Sequence, residues 1–278
     1  MIAGLPRLHA VTDDRVIAQG GLAPRAAAMA GAAGPALAVH LRSRALEGGA
    51  MLALARELSR VLAPHGSWLV INGRADVARA AGARAVASGR NGLSAADIRR
   101  AAPGLLVMRS VHDEAEIRRA DGDALIAGAI YETASHPDAQ AGRRANGQTD
   151  LIKTAAATGR PVIAIGGMTP ERVPEVLGAG AFGVAAIRAL WDAPDTGAAA
   201  RAFTGALPQD ETVAVMINGA ARRARSGISL AGLLGDLGLD ARAVVVEHNR
   251  RIVRRDALDA ASVSEGDAIE LVHFVGGG

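Results

Sequence analysis

From residue 1 to about residue 207 the chain repeats one unit: a short unbroken aliphatic run, a turn, and an alanine-rich stretch with helical spacing. Aliphatic runs without alternation predict strands buried on both faces, as in parallel sheets. The predicted strands are residues 8–12, 36–41, 68–72, 83–87, 105–109, 124–129, 162–165 and 183–187. Helices are predicted at 50–62, 75–81, 94–101, 113–120, 151–157 and 170–177. Ser94 is placed to cap one of them, and Thr169-Pro170 sets proline at a first helical position. Strand and helix alternating eight times over about 200 residues is the pattern of an α/β fold, a (β/α)8 TIM barrel. A doubly wound open sheet is the rival arrangement.

Between residues 196 and 212 this pattern breaks, and 206–211 reads as a linker. A different pattern follows. Residues 212–218 predict a strand, Asn218-Gly219 a hairpin turn, and 229–237 a helix capped by Ser229 with Leu230, Leu233, Leu234 and Leu237 on one face. Short strands follow at 244–248 and 251–253, and a last one at 269–275. Strands, one helix and more strands in about 66 residues give the order of an α+β β-grasp, or ubiquitin-like, domain. Two domains are therefore expected, 1–207 and 212–278. The last strand is expected inside the second domain's sheet, with Val275-Gly276-Gly277-Gly278 leaving it. Glycine is costly to order. A glycine tail is poor structural material, but it is thin enough to thread into another protein's active site and present its terminal carboxylate.

Composition narrows the chemistry. Half of the 278 residues are hydrophobic but only 2% are aromatic, so the core is built from Ala, Val, Leu and Ile. Cysteine is absent, which removes disulfides, thiolate catalysis and Cys-ligated zinc, and fits a cytoplasmic location. The net charge is +3, basic residues are interspersed with acids, and no aromatics stand among them, so no nucleic-acid partner is expected. Arg222, Arg223 and Arg225 form a local cluster that reads as a solvated face. No stretch is apolar enough to span a membrane, and the first residues lack a signal-peptide pattern. Lys153, the only lysine, falls on a predicted outer helix, which argues against Schiff-base chemistry. Asp13-Asp14 reads as a helix cap and Asp121-Gly122-Asp123 as a turn, and the seven histidines show no metal-ligand spacing.

In the second domain, Val215-Met216-Ile217-Asn218-Gly219, Ser229-Leu230-Ala231-Gly232-Leu233-Leu234, Val244-Val245-Val246-Glu247-His248-Asn249, Ile252-Val253-Arg254-Arg255 and Glu265-Gly266-Asp267-Ala268-Ile269-Glu270 run in one order to the glycine tail. This succession resembles the thiamine sulfur-carrier family, ThiS, over residues 212–278, with Arg254 where that family usually has proline. The resemblance implies that a ThiF-like partner adenylates the carboxylate of Gly278 using ATP. Sulfur then displaces AMP, and the thiocarboxylate is consumed by a ThiG-like thiazole synthase. Gly277 and Gly278 are both implied to be required.

In the first domain, Asn72 after Leu69-Val70-Ile71, Gly89-Arg90-Asn91-Gly92-Leu93-Ser94, Tyr131-Glu132-Thr133-Ala134-Ser135-His136-Pro137 and Ile165-Gly166-Gly167-Met168-Thr169-Pro170 resemble the thiamine phosphate synthase/TenI superfamily over residues 7–193. The resemblance implies a phosphate held by Gly166 and Gly167 after strand seven, completed near Ile187 and Arg188. It implies Arg42 and Asn72 as further substrate contacts. The departures bear on the reaction. The family's Asn-Asp after strand three is Asn72-Gly73, the second metal carboxylate is Gly92, and Gln-x-Arg-x-Lys reads His40-Leu41-Arg42-Ser43-Arg44. With both Mg²⁺ carboxylates missing, no metal and no permanently bound cofactor are expected, and the TenI branch, thiazole tautomerisation, is the implied activity. That reaction moves a proton, for which histidine is suited. One TenI pattern has its histidine where Ala129 stands; His136 matches a variant, His40 is a second candidate, and Glu132 is implied to orient a histidine or bind the azole nitrogen. A catalytically dead barrel serving the carrier, and a barrel that still makes thiamine phosphate, are the alternatives. Oligomeric state is left open, a homo-oligomer included.

Overall fold

The computed structural model describes residues 2, 4–132, 149–208, 212–225 and 227–273. It divides into two compact units, Met1–Pro208 and Gln209–Gly278.

In the first unit eight parallel strands close into a barrel: β1 (Leu8–Val11), β2 (Leu37–Leu41), β3 (Trp68–Asn72), β4 (Ala85–Ser88), β5 (Leu106–Val111), β6 (Ala124–Gly128), β7 (Val162–Ile165) and β8 (Gly183–Ala186), with β8 pairing back onto β1. All eight expected strands are present, so the open sheet is ruled out. Successive strand residues point alternately into and out of the barrel. The register His9↔Ala38↔Trp68 and Val11↔His40↔Val70 carries the inward face from strand to strand. Many inward side chains are small (Ala38, Ala85, Ala87, Ala124, Ala185), with Trp68, Met108 and Ile126 filling between them. That leaves volume inside the barrel for two imidazoles, His9 and His40, exposed by 0% and 1%.

Around the barrel run α1 (Asp14–Ala18), α2 (Leu22–Ala33), α3 (Gly48–Leu62), α4 (Ala75–Ala80), α5 (Ala95–Ala101), α6 (Glu114–Arg119), α7 (Thr149–Ala156), α8 (Val173–Gly178), α9 (Arg188–Trp191) and α10 (Thr196–Ala206). Ser94 caps α5 by accepting from the Asp97 amide at 3.1 Å, and Asp13 caps α1 by accepting from the Val16 amide at 2.8 Å. The helix expected at 170–177 opens as a 3-10 turn, Pro170–Arg172, before α8 begins. The break expected from residue 196 is instead α10. Asp195 caps it, Ala200 and Phe203 are buried without exposure, and Gly197 lets the Ala28 carbonyl of α2 approach where a Cβ would stand 3.1 Å from it. Its alanines and glycines form a helix because a neighbouring helix covers them, which local spacing does not reveal.

In the second unit β9 (Thr212–Ile217), β10 (Ala220–Arg225), α11 (Leu230–Asp236), β11 (Val244–His248), β12 (Arg251–Val253) and β13 (Ala268–His273) form a five-stranded sheet in the order β10-β9-β13-β11-β12 with one helix. β13 lies inside the sheet, parallel to β9 and antiparallel to β11. The Asn218-Gly219 turn has both residues at positive φ, 49° and 73°, as a tight hairpin requires. Asn218 also reaches β13: its Oδ1 accepts from the Leu271 amide at 2.7 Å. Ser229 caps α11 through the Gly232 amide, and Leu230, Leu233 and Leu234 are buried beneath the sheet. Arg222 and Arg223 are exposed on β10, while Arg225 is ion-paired with Asp236 at 3.0 Å.

Candidate functional site

At the C-terminal ends of the barrel strands lies a cavity of about 1090 Å³. In this fold the strand ends bring side chains distant in sequence to one place. Among the described residues its polar lining comprises four arginines (Arg42, Arg44, Arg90, Arg188), two imidazoles (His40, His112), and Ser43, Ser110 and Asn72.

One pole is built by glycines. Gly166 and Gly167 follow β7 with φ of 105° and 61°, values that disfavour any side chain. A Cβ on Gly167 would lie 2.7 Å from the Glu132 carbonyl. The loop is held by Arg172, whose guanidinium donates to the Gly167 carbonyl and lies 4.3 Å from the centroid of the Tyr131 ring. Ile187 and Arg188 line the same cavity from the end of β8. All four residues expected at a phosphate site are thus on one wall.

The opposite pole is cationic. Arg42 follows β2 directly, its backbone tied to Thr12, whose hydroxyl accepts from the Arg42 amide at 2.9 Å. Burial is the main influence pushing the Arg42 guanidinium below its ordinary pKa, with Arg44 adding repulsion. Asp14 holds the Ser43–Arg44 turn by accepting from the Arg44 amide at 3.0 Å and from the Ser43 hydroxyl, which depresses its own pKa. Arg90 and His112 both engage Glu116, which is 9% exposed. His112 Nδ1 stands 2.9 Å from the carboxylate, and its Nε2 carries no partner among the described residues. Burial raises the pKa of Glu116, but hydrogen bonds from His112 and Arg90 more than offset it and hold it below the ordinary value.

Beneath the cavity the two inward histidines touch. His9 Nδ1 is 2.8 Å from His40 Nε2, and His9 Nε2 is 2.9 Å from the Pro6 carbonyl oxygen. Burial lowers the pKa of His9 to about 4. Burial, and then His9 itself, push His40 well below its usual value, with Asn72 acting in the other direction as a hydrogen-bonding neighbour.

The structure therefore brings His40, Arg42, Asn72, Gly166, Gly167, Ile187 and Arg188 to one cavity. Glu132 is exposed and is not among the lining residues; its backbone carbonyl meets Gly167 instead. His136, Gly277 and Gly278 lie outside the described residues. Lys153 sits on α7, paired with Asp150. His9, Arg44, Arg90 and His112 were not singled out from the sequence. His9 was accessible to a register argument, since positions 9 and 40 lie diagonally on the inward face of adjacent strands.

Mg²⁺ asks for hard oxygen ligands, carboxylates above all. No Asp or Glu is among the described lining residues, and no group of three His, Asp or Glu is arranged for a metal there. This donor set does not fit a divalent cation; it fits an anion.

A family model described as thiamine monophosphate synthase, TMP-TENI, matches residues 8–190, and that of the ThiS family matches 203–278. The thiamine-phosphate synthase of Mycolicibacterium vanbaalenii is 40% identical over 148 residues, 51% of this chain and 65% of that protein. The chain thus spans just under two thirds of that relative. The thiamine-phosphate synthase of Chromobacterium violaceum is 36% identical over 201 residues, 71% of this chain and 94% of that one. Among solved structures, thiamine phosphate pyrophosphorylase from Pyrococcus furiosus superposes with a TM-score of 0.61 at 24% identity, covering 73% of this chain and 96% of that one, a likeness of fold.

Proposed function

Because this chain belongs to the thiamine monophosphate synthase (TMP-TENI) family and carries a ThiS-family domain after its barrel, we propose that both parts serve the making of the thiazole half of thiamine. The second domain is a sulfur carrier. A ThiF-like enzyme adenylates the Gly278 carboxylate at the expense of ATP, sulfur displaces AMP, and a ThiG-like thiazole synthase takes the sulfur from the thiocarboxylate. The ThiS match extending to residue 278 supports this. Intact-protein mass spectrometry after incubation with ATP, the adenylating enzyme and a sulfur donor tests it. The expected gain is one sulfur in place of one oxygen, lost on deletion of Gly278. No gain, with the partner enzymes active on a control carrier, refutes it.

The barrel is a thiazole phosphate tautomerase. The observation that carries this reading is the cavity's donor set: four arginines and two imidazoles, with no carboxylate among the described lining residues. Gly166, Gly167, Ile187 and Arg188 hold the phosphate, and the guanidiniums of the other pole receive the substrate's second anionic group. The reaction takes a proton from one ring position and returns one to another, so composition is unchanged. His136 is the proposed proton carrier, matched through the resemblance. His112, with Nδ1 tied to Glu116 and Nε2 free among the described residues, is the described imidazole best prepared to share that role.

One observation favours a second reading: both relatives above bear the name thiamine-phosphate synthase. A single pair of assays separates the two. The full chain is given either the non-aromatic thiazole carboxylate phosphate tautomer, or a pyrimidine pyrophosphate with aromatic thiazole phosphate and Mg²⁺. Aromatisation above the uncatalysed rate in the first supports the tautomerase. Mg²⁺-dependent thiamine phosphate in the second overturns it. Inactivity in both leaves the barrel as a scaffold for the carrier.

A further inference from the structure

The pair of buried histidines is more than core filling, because one end of their hydrogen-bond chain has a polarity that cannot be reversed. The Pro6 carbonyl oxygen only accepts. His9 Nε2, 2.9 Å away, must therefore carry the proton. A neutral His9 then has a lone pair on Nδ1, and His40 Nε2, 2.8 Å from it, must be the donor. A neutral His40 is left with a lone pair on Nδ1. Both rings are buried, which keeps them neutral at ordinary pH. The opposite tautomers would set a His9 lone pair against the Pro6 oxygen, two acceptors in contact.

The chain ends beside Asn72, which lies on β3 two residues beyond Val70, the register partner of His40, and lines the same cavity. Here two buried acceptors, His40 Nδ1 and Asn72 Oδ1, have no well-formed partner among the described residues. The oxygen and nitrogen of an amide exchange places by a half turn, and which is which is an assignment made from the hydrogen bonds. With the amide turned, Nδ2 donates to His40 Nδ1, and Oδ1 swings toward the cavity that Asn72 lines. His40 Nδ1 then has its donor, and Asn72 Oδ1 is left to accept from whatever fills the cavity.

We propose that Pro6, His9 and His40 form a one-way hydrogen-bond chain that holds Asn72 with its N–H groups inward and its carbonyl oxygen toward the cavity, so that the site takes a ligand presenting an N–H or O–H donor there. His9 and His40 are positioning residues in this arrangement, and Asn72 is the contact that sets specificity. His40, with both ring nitrogens committed, is a support for the site and not its proton carrier. The inference holds for either reaction of the barrel, since it concerns which ligand atom faces Asn72.

Imidazole ¹⁵N NMR of the full chain, labelled at histidine, tests the chain without reference to activity. At neutral pH both His9 and His40 are expected as Nε2–H tautomers with pyridine-like Nδ1. A pyrrole-like Nδ1 on His40, or a doubly protonated ring on either residue, overturns the proposal. Ligand selection is tested by calorimetry with two probes, an imidazole phosphate bearing a ring N–H and its N-methylated counterpart. The N–H probe is expected to bind about tenfold tighter, and Asn72→Leu is expected to collapse the difference. Equal binding of the two probes, or a preference that survives Asn72→Leu, overturns it. His9→Gln, which keeps a donor for Pro6 and an acceptor for His40, is expected to preserve the His40 tautomer, whereas His9→Leu is expected to give a mixture. An unchanged single tautomer in His9→Leu counts against the lock.

Discussion

Gly166 and Ala129 approach so closely that a Cβ on Gly166 would stand 2.5 Å from the Cβ of Ala129, and 2.7 Å from its Cα. The atoms met are the Cβ and Cα of Ala129 and the backbone nitrogen of Ile130, none of which a side-chain rotation can move aside. Gly166→Ala is expected to destabilise the barrel by about 2 kcal/mol, combining overpacking with strain at a φ of 105°. Differential scanning calorimetry reads this as a lowered Tm. The same variant is expected to lose affinity for inorganic phosphate by about tenfold or more as the loop is pushed off the cavity wall. Unchanged Tm and phosphate affinity together would show that this loop is neither tightly packed nor the phosphate site.

The arginines of the cavity carry a prediction about salt. Arg42→Ala and Arg188→Ala are each expected to weaken binding of an azole phosphate by about tenfold, as loss of a charge-assisted contact does. The residual binding is expected to depend less steeply on ionic strength, because one fewer charge faces the anion. Titrations at two salt concentrations check both statements. An Arg42 variant that binds like the parent would remove the second pole from the site.

The buried imidazoles predict how the barrel responds to acid. Unfolded histidine binds its proton near 6.5, whereas His9 in the barrel does so only near 4, and His40 is also lowered, in both cases chiefly because burial disfavours the cation. Between those values the unfolded chain binds more protons than the folded one, so stability falls as pH drops from about 6.5 toward about 4 and is insensitive to these groups above 6.5. Urea unfolding followed by a barrel probe such as Trp68 fluorescence is expected to show this decline. His9→Gln is expected to make it shallower. A parent barrel with flat stability across that window would contradict the neutral, buried assignment.

In the second unit Asp267 ties three segments together. Its carboxylate accepts from the Ser264 amide at 2.8 Å and from Asn249 Nδ2 at 2.7 Å, and stands 2.7 Å from His248 Nε2. Burial raises its pKa, but these partners more than offset that and hold it below the ordinary value. Asp267→Ala is expected to cost about 2–3 kcal/mol, since buried donors lose their acceptor. Chemical denaturation of the full chain, read from the second unit's amides by hydrogen exchange, checks it. Loss of the aspartate charge at low pH is expected to act in the same direction.

The sequence by itself determined an α/β domain of eight buried strands followed by a β-grasp domain. Eight unbroken aliphatic runs require burial on both faces, which a closed parallel barrel and a doubly wound sheet both supply; the pairing of β8 with β1 decided for the barrel. The hairpin at Asn218-Gly219 and the capped leucine face from Ser229 were legible from local conformational preference and spacing, and the last strand's place in the sheet from the β-grasp order of the elements. One wall of the cavity, Gly166, Gly167, Ile187 and Arg188, was legible through the family resemblance, whose motif places them at the ends of strands seven and eight. Tertiary structure decided what depends on register and closure. α10 is a helix because α2 covers Ala200 and Phe203, which no local pattern states. Arg90 and His112 meet through Glu116 across two strand ends, and Glu132 is exposed although Tyr131 before it is buried. Above all, His9 and His40, 31 residues apart, become one hydrogen-bonded unit only because adjacent parallel strands set both on the inward face. The physical reason is that a sequence specifies which face a residue prefers, while the hydrogen-bond register between strands fixes which residues meet on that face.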